Sequence, residues 1–61
     1  MYLKVEYIYG PINDIKENIV MVNADIDEDT SYEEVNRILK PLIGKQTGHY
    51  EIKIMSYGEA I

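Results

Sequence analysis

Residues 30–44 carry the chain's one run of helical periodicity, and that single helix limits what the rest can become. Val35, Ile38, Leu39, Leu42 and Ile43 recur at spacings of three and four, a stripe that needs an apolar surface to lie on. Ahead of it stands Thr30-Ser31-Tyr32-Glu33-Glu34, where either Thr30 with Glu33 or Ser31 with Glu34 has the spacing of a capping box, so a helix starts here. Pro41 removes one amide donor, while Gly44 stands where a left-handed cap belongs; the expectation is a helix with a distorted last turn ending at Gly44.

The remaining apolar residues alternate. In residues 1–9, Leu3, Val5, Tyr7 and Tyr9 fall on one strand face and Tyr2, Lys4, Glu6 and Ile8 on the other. Gly10-Pro11 breaks that run, and residues 12–18 read as a long hairpin loop. A second strand over residues 19–26 sets Val20, Val22, Ala24 and Ile26 against Ile19, Met21, Asn23 and Asp25. After the turn signal Thr47-Gly48, Tyr50, Ile52 and Ile54 alternate with Glu51, Lys53 and Met55 in a third strand ending near Gly58.

The fold class is therefore α+β: one ββαβ domain over residues 1–61, a three-stranded sheet with one helix packed on one face. Strand order stays open. Facing Lys4 and Glu6 against Glu51 and Lys53 favours 2-1-3, whereas the two-sided apolar character of strand two favours placing it centrally, as 1-2-3. One helix leaves the other sheet face bare, with Ile8, Ile19, Met21, Met55 and Tyr57 on it, an apolar set of the kind that marks an oligomer interface. A chain of 61 residues without cysteine has no disulfide or thiolate metal site to supplement its small core, and a homodimer would relieve that shortage.

Charge is unevenly placed. Asp25, Asp27, Glu28, Asp29, Glu33 and Glu34 put six acids and no base into ten residues, while the rest of the chain holds five acids and six bases. The net charge of -5 thus belongs to one patch, which suits a basic surface on a larger protein and disfavours direct contact with nucleic acid. Part of the patch complements the helix dipole. Asp25, Asp27 and Asp29 also have the D-x-D-x-D start of an EF-hand loop, but Thr30 stands at the glycine position and Asn36 at the bidentate glutamate position, so no metal site is assigned.

Catalytic arrangements are not legible. The sole histidine, His49, sits beside a turn glycine and reads as solvent-exposed, Ser31 is explained as a cap, and no glycine-rich loop could cradle phosphate, so neither enzyme activity nor a cofactor is expected. All six aromatics are tyrosine, which suits rims and interfaces. No apolar run approaches membrane-spanning length and the first residues lack the features of a signal peptide. The expectation is a small acidic, cytoplasmic, non-enzymatic interaction protein, a regulator or inhibitor that docks its acidic patch on a larger basic, nucleic-acid-binding protein. The alternative is an assembly module working through the bare sheet face or a free strand edge. Richness in Ile, Asn, Lys and Tyr hints at an AT-rich coding sequence, and chains of this size are often accessory or phage-borne.

Overall fold

The computed structural model describes residues 2–60. In chain order these form β1 (Tyr2–Tyr9), β2 (Lys16–Asn23), α1 (Tyr32–Thr47) and β3 (Ile52–Glu59). The strands make one antiparallel sheet in the order β2-β1-β3, with the helix across one face, the expected ββαβ arrangement. Met1, which the alternation included in the first strand, lies outside the described residues.

The core follows the alternation. Leu3, Val5 and Tyr7 of β1, Val20 and Val22 of β2, and Ile52 and Ile54 of β3 are buried beneath Val35, Leu39 and Ile43 of the helix. Ile38 packs partly against this cluster, whereas Leu42 lies at the rim with 36% of its surface exposed. Two side chains fasten the helix diagonally to both edge strands: the Tyr32 hydroxyl donates to the Ile54 carbonyl (2.9 Å) and Gln46 Nε2 to the Met21 carbonyl (3.0 Å). The bonds hold α1 at opposite ends.

Several boundaries differ from the sequence reading. The second strand begins at Lys16, paired with Tyr9, so the hairpin connection is only residues 10–15. Gly10 makes this possible with φ 101°, and the Asp14 amide closes the turn on the Pro11 carbonyl at 2.8 Å. A Cβ on Gly10 would lie 2.7 Å from the Asp14 carbonyl oxygen. Among the described residues the strand ends at Asn23, whose partner is Tyr2, and Ala24 and Ile26 are buried beyond it. Order 2-1-3 is realised, but not through the charge pairs proposed for it. Lys4 faces Met21 and Gly58, Glu6 faces Ile19 and Ser56, and Lys53 faces Ile8.

The helix runs through Pro41 to Thr47 and is capped by Gly48, not Gly44. Pro41 is tolerated because it lies on the exposed side, where water can satisfy the carbonyl its missing N–H leaves behind. Gly48 adopts φ 86° and its amide closes on the Gly44 carbonyl at 2.8 Å. Gly44 is buried inside the helix and serves as a seat for Tyr50, whose ring atoms would stand 2.3 Å from a Cβ there. Tyr50 thereby leaves the third strand, which starts at Ile52.

The most consequential departure is a bulge. Tyr7 pairs with Ile54 and Glu6 with Ser56, so Met55 is an extra residue in β3. Beyond it the alternation shifts by one, and Tyr57 comes opposite buried Val5 while Glu59 comes opposite buried Leu3. Directly paired residues share a face, so Tyr57 belongs to the helix side and not to the bare side.

Candidate functional site

The bulge brings Tyr57 and Glu59 to the end of the sheet where the segment following β2 passes. A groove of about 440 Å3 opens there, lined by Leu3, Ile26, Asp27, Glu28, Tyr57, Gly58 and Glu59. Leu3 and Ile26 are buried and Tyr57 is partly exposed, so the groove has an apolar floor. Among the described residues its charged lining is wholly acidic, with carboxylates from Asp27, Glu28 and Glu59. A similar groove of about 450 Å3 at the opposite end carries Lys40, Lys53 and Glu51, so the charge is polarised along the sheet.

Local chemistry accounts for part of the acidic patch. Asp27 Oδ1 accepts from the Asp29 amide (2.9 Å) and the Thr30 hydroxyl (3.1 Å), while the Asp27 and Thr30 amides bond Thr30 Oγ1 and the Asp27 carbonyl. This closed turn leads into Ser31, whose Oγ accepts from the Glu34 amide at 3.2 Å as the helix N-cap. Of the two capping registers the sequence allows, Ser31 with Glu34 is used. Glu34 does not reach back to the cap but is held by the Arg37 guanidinium, which keeps its carboxyl below the usual value chiefly through that hydrogen bond. Among the described residues this is the only ion pair, and Asp25, Glu28, Asp29, Glu33 and Glu59 have no cationic partner.

The six acids therefore do not act as one site. Asp27 and Glu28 line the groove, Glu34 is taken by Arg37, and Asp25, Asp29 and Glu33 are exposed outside it. Glu59, Tyr57 and Leu3 are groove residues the acidic run could not reveal, since they arrive through sheet register. Among the described residues no three His, Asp or Glu side chains are grouped to hold a metal ion.

At the other end of β1, His49 is not the solvent-exposed turn residue expected. It is half-buried and stacks on Tyr9, with ring centroids 3.8 Å apart and planes within 14°. Its Nδ1 lies 2.9 Å from the Tyr7 hydroxyl, which also accepts from Asn18 Nδ2 at 2.8 Å. With Asn18 donating, the Tyr7 hydroxyl is free to donate to an unprotonated Nδ1, which puts the ring proton of a neutral His49 on Nε2. The cluster ties β1, β2 and the segment after the helix together around a tyrosine that is 1% exposed.

The bare sheet face keeps four of its five expected apolar residues. Ile8, Ile19 and Met55 meet in a shallow depression of about 650 Å3 with Glu6 and Glu17, Met21 stands in the next row beside Lys4, and Tyr57 is absent from it. Among the described residues no helix is long and apolar enough to cross a bilayer. Comparison with protein-family models, with curated proteins and with solved structures gives no match.

Proposed function

We propose that this chain is a small non-enzymatic docking protein, a regulator or inhibitor that binds a Lys- or Arg-bearing surface of a larger protein in the groove between residues 26–28 and 57–59. The observation that carries the reading is the pairing of an apolar floor, Leu3, Ile26 and Tyr57, with the carboxylates of Asp27, Glu28 and Glu59, with no Lys or Arg among the described lining residues. Arginine fits such a groove: its stem covers apolar surface, its guanidinium meets carboxylates, and its plane stacks on a tyrosine ring. The excess of acid around the groove steers a basic partner and repels nucleic acid. The partner class this favours is a basic nucleic-acid-binding protein met in the cytoplasm, as an accessory or phage-borne regulator would meet it.

The test is capture from lysate by wild type and by Glu28→Gln/Glu59→Gln, followed by titration of the purified captured protein at two salt concentrations. Asp27 is left intact because its carboxylate builds the turn. A basic protein held by wild type, weakened by the double variant and weakened by salt supports the reading. Equal binding by both chains refutes it.

A further inference from the structure

The bare face of the sheet has a charge pattern distinct from the rest of the molecule. Its rows are fixed by strand register: Tyr2 beside Asn23, then Lys4 between Met21 and Gly58, then Glu6 between Ile19 and Ser56, then Ile8 between Glu17 and Lys53. In a chain of net charge -5 these four rows hold two lysines and two glutamates and are neutral. Lys4 and Glu6 are exposed neighbours in the central strand, and neither has an ion-pair partner among the described residues. The apolar members stand out of the sheet, Ile19 with 54% and Met55 with 57% of their surface exposed.

This pattern is complementary to itself. Consider a two-fold axis lying between two stacked sheets, perpendicular to β1 and level with Val5. It superimposes the row of Lys4 on the row of Glu6 of a second copy, and the reverse. Met21 then meets Ile19 of the second copy and Gly58 meets its Ser56, while one row further out Tyr2 meets Ile8. The Lys4–Glu6 pairing thus occurs twice, and Met21 against Ile19 and Tyr2 against Ile8 set apolar side chains against one another, which is the condition for an isologous contact. A symmetric contact turns one good pairing into two, so the match does not depend on a single residue. We propose that this face is where two copies of the chain associate, as a two-layer sheet sandwich with antiparallel β1 strands and mutual Lys4–Glu6 pairs.

The size of the face sets the strength. Three strands about 4.8 Å apart and eight residues long at about 3.4 Å each give a face of roughly 14 by 27 Å, and two such faces bury on the order of 1,000 Å2, the small end of specific interfaces. The dimer is accordingly a concentration-dependent one, with dissociation in the micromolar range. The acidic groove lies on the helix side and shares with this face only Gly58, which has no side chain, so failure of one reading leaves the other standing.

The experiment is sedimentation equilibrium from roughly 0.5 μM to 1 mM, a range that brackets micromolar dissociation, on wild type, Lys4→Glu, Glu6→Lys and a one-to-one mixture of the two variants. Far-ultraviolet circular dichroism and thermal melts at low concentration verify that each chain is folded; both substitutions are on exposed strand positions. Wild type is expected to move from 7.1 kDa toward twice that mass, and each variant to dimerise at least about tenfold more weakly. The mixture is expected to recover the association, because each chain then supplies the charge its partner lacks. Ile19→Lys gives an independent reading and is expected to remain monomeric. A wild type that stays monomeric to 1 mM, variants that dimerise like wild type, or a mixture without recovery would each overturn the proposal.

Discussion

Removing one oxygen from Tyr7 tests whether the polar cluster at its tip holds the two strands and the segment after the helix together. The ring is 1% exposed and would repack unchanged in Tyr7→Phe, so the loss is confined to the bonds with Asn18 Nδ2 and His49 Nδ1. A net hydrogen bond contributes about 0.5–1.5 kcal/mol, and both partners are half-buried, so each regains some solvation when the hydroxyl is gone. The expected cost is about 1.5 kcal/mol. For a domain of this size that is roughly a third to a half of the total stability, and it lowers Tm by roughly 6–12 °C. Urea and thermal unfolding followed by circular dichroism, at a concentration where the chain is monomeric, measure it directly. His49→Phe keeps a ring against Tyr9 but removes Nδ1, and the double variant should lose less than the sum of the singles, by about 0.5–1.5 kcal/mol. A Tm change under about 2 °C, or strictly additive singles, would show that water replaces these bonds at no cost and that the cluster is packing alone.

Gly10 and Gly48 both have positive φ, but they differ in the space beside them. Gly48→Ala meets open solvent and is expected to cost about 1 kcal/mol of backbone strain, whereas Gly10→Ala also drives its Cβ toward the Asp14 carbonyl and should cost about twice as much in the same urea titration. Arg37→Gln should return the Glu34 carboxyl toward its ordinary titration range, read by carbon-detected NMR. The folded pKa of Glu34 is depressed, so its share of stability is present above the unfolded value and fades as pH falls through the folded one. That fading should vanish in Arg37→Gln. Because the pair lies at the surface in contact with solvent, the change in Tm should be small.

The strands and helix were readable because each carries its own period: Leu3, Val5 and Tyr7 at two, Val35, Leu39 and Ile43 near 3.6. These patterns need only local chain geometry to express themselves. Element ends were harder. Gly44 and Gly48 both satisfy the pattern of a helix stop, and what separates them is the Tyr50 ring resting on Gly44. His49 reads as an exposed turn residue because its partner Tyr7 is 42 positions away, and no local pattern announces a contact at that separation. For the site, Asp27 and Glu28 stood out as charge, but Glu59 and Tyr57 did not. Their faces depend on the extra residue at Met55, and Met55-Ser56-Tyr57-Gly58 has no composition that distinguishes a bulge from regular alternation.

That one extra residue gives β3 two jobs. Before it, Ile52 and Ile54 supply the core; after it, the helix-side positions belong to Tyr57 and Glu59. Had the alternation continued, Tyr57 would stand on the bare face beside Met55, removing the aromatic wall from the acidic groove and displacing the small side that Ser56 and Gly58 present there. The bulge thus separates a groove suited to arginine from a flat face suited to a second copy. Stacking the bare faces with β1 strands antiparallel sends the two grooves to opposite ends of the sandwich, both facing outward, with the helices on the outer surfaces. Such a dimer is bivalent, and on a target with two basic sites at matching separation the second groove closes as an intramolecular step, raising avidity without a new contact. Under both proposals the dimer contact is small, so each association would reinforce the other only where the target spans both ends. If both proposals hold, that coupling would let a chain of 61 residues discriminate a spaced pair of basic surfaces from isolated ones.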